Sequence, residues 1–170
     1  YVVVRRVLAA LGATAGLSNA ELAQLEQAYN DGAPLPDDLR FLLSLGVPKE
    51  FHPFKDLARG ATREDRDPIV NQRLWHADRR TTCPLLPLCG HRMMPLVPTD
   101  EGNPVYSMHQ LDADSDGDCI VYGTNLWAWL VHEFKVQLPP HWQAECVRSI
   151  PQWDDAIDGA PCDDDDDDDE

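Results

Sequence analysis

The sequence contains no long apolar run. No stretch of its 170 residues approaches the roughly 20 consecutive apolar residues that a membrane-spanning helix needs. The apolar stretch at the N-terminus, residues 1–11, carries Arg5 and Arg6 inside it rather than ahead of it, which is atypical of a signal peptide. We therefore expect neither a membrane span nor a signal peptide.

Basic residues are scarce. The chain has 14 Lys and Arg against 30 Asp and Glu, a formal net charge of -16, which opposes binding to nucleic acid or to anionic lipid. The last 17 residues hold 11 acids and no base, so the preceding part has 19 acids and 14 bases, a net charge of -5. We interpret residues 1–153 as one folded domain and residues 154–170 as an acidic, disordered tail.

Cysteine pairs and catalytic motifs are also missing. The five cysteines, an odd number without a C-x-x-C pair, favour a reducing compartment and a cytoplasmic location. Cys83 and Cys89 fit no common zinc spacing and are expected to be small buried side chains. With neither a G-x-S-x-G elbow nor a phosphate-binding glycine loop, the sequence predicts no catalytic residue, no metal and no cofactor.

Helix signals dominate the first third of the chain. Apolar residues recur at helical spacing over residues 3–11, which predicts an amphipathic first helix. Residues 18–21 have the form of a capping box, with Ser18 and Glu21 reciprocally placed to open a second helix. Pro36 presets the start of a third helix, which we expect to end at Gly46.

Residues 47–82 show neither the helical nor the strand period of apolar residues and are interpreted as a long connection. Strand signals follow it. Short, edge-like extended pieces are expected around residues 85–88 and 93–96, where prolines exclude a central strand. Residues 104–111 and 119–122 are β-prone and are separated by an Asp-Gly turn signal, which predicts a hairpin.

A last helix follows, capped by Thr124 or Asn125 and stopped by Pro139 and Pro140. Trp127 and Trp129 point about 200° apart on it and cannot both face the core. One of them is expected on or near the surface. It is either an interface anchor or is half covered by the C-terminal segment around Trp142 and Trp153.

The order of these motifs resembles the SUKH superfamily, which includes Knr-type cell-wall assembly regulators and bacterial toxin-immunity proteins. The matching motifs are Leu11-Gly12-Ala13-Thr14, residues 17–25 and 35–40, Gly90-His91-Arg92, Gly102-Asn103-Pro104-Val105, residues 107–112, Tyr122-Gly123, Leu126 and Glu133-Phe134. The resemblance implies an α+β fold: one domain with N-terminal helices, a mixed or antiparallel sheet and a C-terminal helix. Residues 50–83 are shorter than the corresponding region of that family, so part of the usual sheet is expected to be missing.

The resemblance also implies a non-catalytic, protein-binding role, either toxin immunity or regulation, and it carries no shared active-site motif. Residues 113–118 are an acidic insertion relative to that family. From the residues themselves we expect the partner-binding surface at this acidic hairpin, residues 112–118, with Trp129 as an apolar anchor. The carboxylates of this surface are Asp112, Asp114, Asp116 and Asp118, which favour a basic protein partner such as a toxin or a regulator.

Three alternatives stay open at this point. Residues 112–118 match the first half of a calcium loop, but Gly123 stands where the twelfth, bidentate ligand would be, so an acidic turn is favoured. His91 and Arg92 are interpreted as structural polar anchors or as part of a partner surface. The alternative function is an enzyme or metal-dependent module that uses His and Asp residues between His91 and Asp118, which requires those residues to converge in one pocket.

Overall fold

The computed structural model describes residues 2–51, 83–108, 119–151, 153 and 157–158. Three helices form in the N-terminal third, as the sequence predicts: α1 (Val2–Ala10), α2 (Asn19–Tyr29) and α3 (Asp37–Leu45). The capping box of α2 is confirmed, because Ser18 Oγ accepts a hydrogen bond from the Glu21 amide at 3.3 Å and the Glu21 carboxylate accepts one from the Ser18 amide at 2.8 Å.

Two short strands connect these helices. Strand β1 (Thr14–Ala15) pairs antiparallel with β2 (Gly46–Val47), so the loop after α1 is tied to the end of α3. Neither strand carries a signal in the sequence, since two residues are too few for a period-2 pattern.

The main sheet includes the two strands of the predicted hairpin. Its strands are β3 (Leu85–Cys89), β4 (Arg92–Pro95), β5 (Val105–Met108), β6 (Cys119–Gly123) and β7 (Ile157–Asp158), hydrogen-bonded in that order. The first four strands are antiparallel and β7 pairs parallel with β6. Pro87 lies in β3, at the edge of the sheet, where a missing N–H costs least. The edge position predicted for residues 93–96 is wrong, because β4 pairs with β3 on one side and with β5 on the other. The predicted α+β class is confirmed.

Strand β7 lies within the segment that the sequence predicts to be a disordered tail. Composition predicts that boundary at Asp154, but Ile157 and Asp158 pair with Cys119 and Ile120 of β6. Backbone hydrogen bonds to a sheet edge do not depend on side-chain polarity, so the acidic composition carries no sign of this pairing.

Both faces of the sheet are covered, as the alternation of its side chains requires. One face joins the main core with the helices, where fully buried leucines of α2 and α3 meet side chains of the strands such as Leu86, Leu88 and Met94. The opposite face, including Met93 and Tyr106, is covered by Ile150 and Trp153. The helices therefore pack on one side of the sheet and the C-terminal segment packs on the other.

The last helix, α4 (Leu126–Phe134), begins at the predicted cap. Asn125 Oδ1 accepts a hydrogen bond from the Ala128 amide at 2.8 Å, which identifies Asn125 rather than Thr124 as the N-cap. Lys135 adopts a left-handed conformation after the helix, and a 3₁₀ turn follows at Pro140–Trp142. Within the described ranges, no helix has both the length and the apolar character to span a bilayer.

The cysteines differ among themselves. Cys83 is fully buried, burial raises the pKa of its thiol, and its Sγ donates to the Val97 carbonyl at 3.3 Å. Cys89 is half-buried and is not part of a disulfide. Cys146 is disulfide-bonded.

Three of the predicted segments fall outside the described residues. They are most of the long connection (residues 52–82), the turn of the acidic hairpin (residues 109–118) and the acidic end of the chain (residues 159–170).

The close approach of β6 to α4 yields a stability prediction. A Cβ at Gly123 would lie 2.6 Å from Trp129 Cβ and 2.7 Å from its Cα, distances that require the strand and the helix to separate. We expect Gly123→Ala to lower the free energy of unfolding by about 2–3 kcal/mol, as overpacking does. Urea-unfolding curves will measure this difference.

Gly12→Ala is the matched control. Gly12 has a φ of +58° and no atom within 4 Å of the position that a Cβ would occupy, so this change introduces only backbone strain of about 1 kcal/mol. Equal losses for the two variants would contradict the proposed crowding at Gly123.

Candidate functional site

A cleft of about 680 Å³ opens where four parts of the chain meet. They are the N-terminal end of α3, the loop after β4, the N-terminal end of α4 and residues 139–148, which we call the C-terminal strap. The side chains important to its chemistry are Asp37, Glu101, Trp127, His141, Trp142 and Arg148. Much of this boundary is irregular backbone, so side-chain hydrogen bonds must fix the positions of its walls.

The residues that begin α4 also hold the C-terminal strap. While Asn125 Oδ1 caps the helix, Asn125 Nδ2 donates a hydrogen bond to the Trp142 carbonyl at 2.7 Å. Thr124 Oγ1 donates to the Ala144 carbonyl at 2.6 Å. One wall of the cleft is thus fixed to the start of the helix by two side chains.

Arg148 fixes the far end of the strap. Its guanidinium donates to both carboxylate oxygens of Asp100, at 3.0 and 2.9 Å, and to Asn103 Oδ1 at 3.1 Å. Hydrogen bonding from Arg148 lowers the pKa of the Asp100 carboxyl. Asn103 is fully buried and its Nδ2 donates to the carbonyls of Pro95 and Pro98. Asn103 therefore holds the loop after β4 together and, through Arg148, connects it to the strap.

Asp38 connects α3 to the same loop. Its carboxylate is only 2% exposed and accepts hydrogen bonds from the amides of Leu39 at 2.8 Å and Gly102 at 3.2 Å. Burial raises the pKa of Asp38 to about 6, although these two hydrogen bonds act in the opposite direction. The Asp37 amide donates to the Thr99 carbonyl at 2.9 Å, which adds a backbone contact beside it.

Aromatic rings form the apolar part of the cleft. Trp127 and Trp142 lie with ring centroids 5.3 Å apart at an interplanar angle of 57°. Trp127 is 9% exposed, Trp142 is half-buried, and the exposed ring of His141 meets Trp142 edge-on at 6.4 Å. An apolar surface therefore lies beside the exposed carboxylates of Asp37 and Glu101.

Arg92 and its neighbours form a second polar cluster, away from the cleft. Arg92 Nε contacts the Glu133 carboxylate at 2.9 Å, and Nη1 contacts Ser107 Oγ at 2.5 Å and the ring of His91. The guanidinium lies 3.4 Å from the centroid of the Tyr122 ring. Arg92 thereby links β4, β5, β6 and α4, and its side chain is only 11% exposed.

The structure corrects the prediction for Trp129. The sequence predicts an exposed apolar anchor there, but Trp129 is fully buried, with its ring 5.6 Å from Phe51 and 5.5 Å from Phe134. Trp127 is also buried, because Trp142 of the strap covers it. The helix is enclosed on both sides, so neither Trp of α4 stands free on the surface.

The other predicted partner-binding residues are Asp112, Asp114, Asp116 and Asp118, and they lie outside the described residues, as does His109. The predicted convergence of His91 with these residues therefore also falls outside the described part of the chain. Within the described ranges, no group of three or more His, Cys, Asp or Glu side chains is arranged to hold a metal ion.

Sequence reasoning missed the cleft as a site. From their spacing, Asp37 and Asp38 indicate only favourable charges at a helix start, and the prolines of the strap indicate only the end of the last helix. The available signal is the alternative that a Trp of α4 is covered by the segment around Trp142, which is the contact that the structure shows for Trp127.

Comparisons of the chain with protein-family models, with curated proteins and with solved structures found no match. The resemblance to the SUKH superfamily rests on the order of the short sequence motifs.

The raised pKa of Asp38 predicts a pH dependence of stability. The folded protein binds this proton more tightly than the unfolded chain, whose Asp pKa is near 3.8. The stability contributed by Asp38 is therefore greatest below about pH 4 and falls as the pH rises to about 6, by at most about 3 kcal/mol. Asp38→Asn removes the titration.

Urea unfolding of both proteins between about pH 4 and pH 7 measures this effect. We expect the free energy of unfolding of the wild type, relative to Asp38→Asn, to decrease by about 2–3 kcal/mol over that range. Asp37→Asn, at an exposed neighbouring carboxylate, is the control and should show no comparable change. If the difference in free energy of unfolding between the wild type and Asp38→Asn stays constant with pH, the proposed titration of the buried Asp38 carboxyl is contradicted.

Proposed function

We propose that this chain is a non-catalytic domain that binds a partner protein, and that the cleft is its binding surface. The observation that carries the proposal is the composition of the cleft, where the apolar rings of Trp127 and Trp142 lie beside exposed carboxylates. Aromatic surface surrounded by polar groups is characteristic of protein-binding sites.

The rigidity of the cleft supports the same function. Its walls are connected by side-chain hydrogen bonds from Asn125, Thr124 and Arg148, and by the buried carboxylate of Asp38. A surface that is ordered before binding loses less conformational entropy when the partner binds. Such a cleft suits recognition of a peptide segment or a protruding side chain.

The alternative, an enzyme or metal-dependent module, receives less support from the described residues. Asp38 has the raised pKa that a general acid would need, but both its carboxylate oxygens accept from backbone amides and it is almost entirely buried. His91 contacts the guanidinium of Arg92 rather than the cleft. These arrangements are those of structural hydrogen bonds.

The kind of partner follows from the resemblance to the SUKH superfamily. Under that resemblance the partner is a toxin or a regulatory protein, and the acidic surface of this chain favours a basic one. Its charge opposes nucleic acid and anionic membranes. The predicted cytoplasmic location is a separate proposal, and the disulfide at Cys146 weighs against it because such bonds are rare in reducing compartments.

A selection from a phage-displayed random peptide library tests the proposed function. The immobilised 170-residue chain should enrich peptides whose affinity falls about tenfold or more in Trp142→Ala, equivalent to about 1.4 kcal/mol of binding free energy. Thermal melts will verify that the variant is folded, and His141→Ala, at an exposed side chain of the same wall, provides a second cleft variant.

Val2→Ala is the matched control, because Val2 is a large apolar side chain that is 65% exposed and lies outside the cleft. It should leave the affinities unchanged. If no peptide is enriched, or if the enriched peptides bind the cleft variants as well as they bind the wild type, the cleft is not the binding surface.

A further inference from the structure

We propose that the cleft receives an arginine side chain of the partner. This inference rests on the proposed protein-binding function and specifies its ligand. Asp37 and Glu101 would hold the charge of the guanidinium, and the Trp142 ring would contact its planar face. A guanidinium is planar and weakly hydrated, so a site that combines carboxylates with an aromatic ring suits it better than it suits a compact ammonium ion.

The charge of the cleft supports a cationic ligand. Three carboxylates line it, those of Asp37, Asp38 and Glu101, and Arg148 contributes a guanidinium. That guanidinium is already held by both oxygens of Asp100, which lies just beside the cleft. Asp100 thus neutralises the positive charge of Arg148. That charge therefore does not compensate the negative charge of the carboxylates that line the cleft.

Asp37 and Glu101 are available to a ligand. Both residues are exposed, and within the described part of the chain neither carboxylate has a hydrogen-bond or ion-pair partner. Asp38, in contrast, is occupied by the amides of Leu39 and Gly102. The carboxylates of Asp37 and Glu101 can therefore accept hydrogen bonds from a guanidinium without breaking a contact of the fold.

The aromatic wall is also available. Trp142 is half-buried: it meets Trp127 at 5.3 Å and His141 edge-on at 6.4 Å, which leaves part of the indole uncovered. Its backbone carbonyl is held by Asn125 Nδ2 at 2.7 Å, so the residue is fixed in place before any ligand enters. A cation that lies against a fixed ring gains cation–π attraction at little entropic cost.

The fold itself contains the same kind of site in an occupied form. The guanidinium of Arg92 lies 3.4 Å from the centroid of Tyr122 while its Nε contacts the carboxylate of Glu133 at 2.9 Å. An aromatic face and a carboxylate thus hold an arginine within this chain. The cleft offers an indole and carboxylates whose guanidinium would come from another molecule.

Nuclear magnetic resonance titration of the full chain with N-acetyl-arginine amide tests this inference. The matched ligand is N-acetyl-citrulline amide, which has nearly the same shape and no charge. We expect arginine amide to shift the indole N–H signals of Trp127 and Trp142 and the amide of Gly102, and to bind about tenfold more tightly than the citrulline compound, as a charge held by two carboxylates requires.

Protein variants locate the effect. The double variant Asp37→Asn and Glu101→Gln should weaken arginine amide binding about tenfold, whereas Glu50→Gln should leave it unchanged. Glu50 is an exposed carboxylate outside the cleft, so it controls for the loss of negative charge alone. Trp142→Ala should weaken binding as well, and the double variant keeps the test valid if Trp142→Ala is destabilised.

Three results would overturn the inference: no shift of the cleft signals, equal binding of the citrulline compound, or equal weakening by Glu50→Gln. The peptides selected on the wild-type chain separate this failure from failure of the proposed function. Peptides that depend on Trp142 but contain no arginine would contradict the arginine site and leave the protein-binding function standing.

Discussion

The side-chain amide of Asn125 makes the two hydrogen bonds that organise the cleft end of this fold. Its oxygen caps α4 and its nitrogen holds the carbonyl of Trp142, which belongs to the segment that follows the same helix. One residue thereby fixes where the helix begins and where the chain returns after the helix has ended. This contact holds the strap at Trp142, whose ring covers Trp127, while Thr124 and Arg148 hold the strap further along.

Other polar side chains near the cleft also hold irregular backbone in place by hydrogen bonds. Asn103 is buried and binds two carbonyls of the loop, Asp38 is buried and binds two amides, and Arg148 joins the strap to that loop. Buried polar side chains are costly unless they are hydrogen-bonded, so each of these residues specifies one arrangement of the backbone. The result is a cleft whose polar walls are built from the irregular parts of the fold.

The elements that were predictable from the sequence have local signals. The capping box at Ser18, the glycine that ends α3 and the Asn125 cap each involve residues within about one helical turn of each other, so spacing alone identifies them. The β5–β6 hairpin was predictable because its strands are adjacent in sequence, although its turn lies outside the described residues.

The features that were not predictable depend on residues far apart in the chain. Arg148 meets Asp100 and Asn103 across 48 and 45 residues, and Ile157 of β7 pairs with Cys119 of β6 across the whole of α4 and the strap. The burial of Trp129 depends on which elements pack against α4, and no pattern within the helix specifies them. The cleft combines residues from Asp37 to Arg148, so only the folded chain brings its chemistry together.

The most direct test of this account is amide hydrogen exchange in Asn125→Ser. A serine can still cap α4, but it has no amide to donate to the Trp142 carbonyl. We expect the protection of the Trp142 and Gln143 amides, which close the 3₁₀ turn, to fall about five- to tenfold while the amides inside α4 keep theirs. Unchanged protection at Trp142 and Gln143 would show that the strap is held by other contacts and would contradict the role assigned to Asn125.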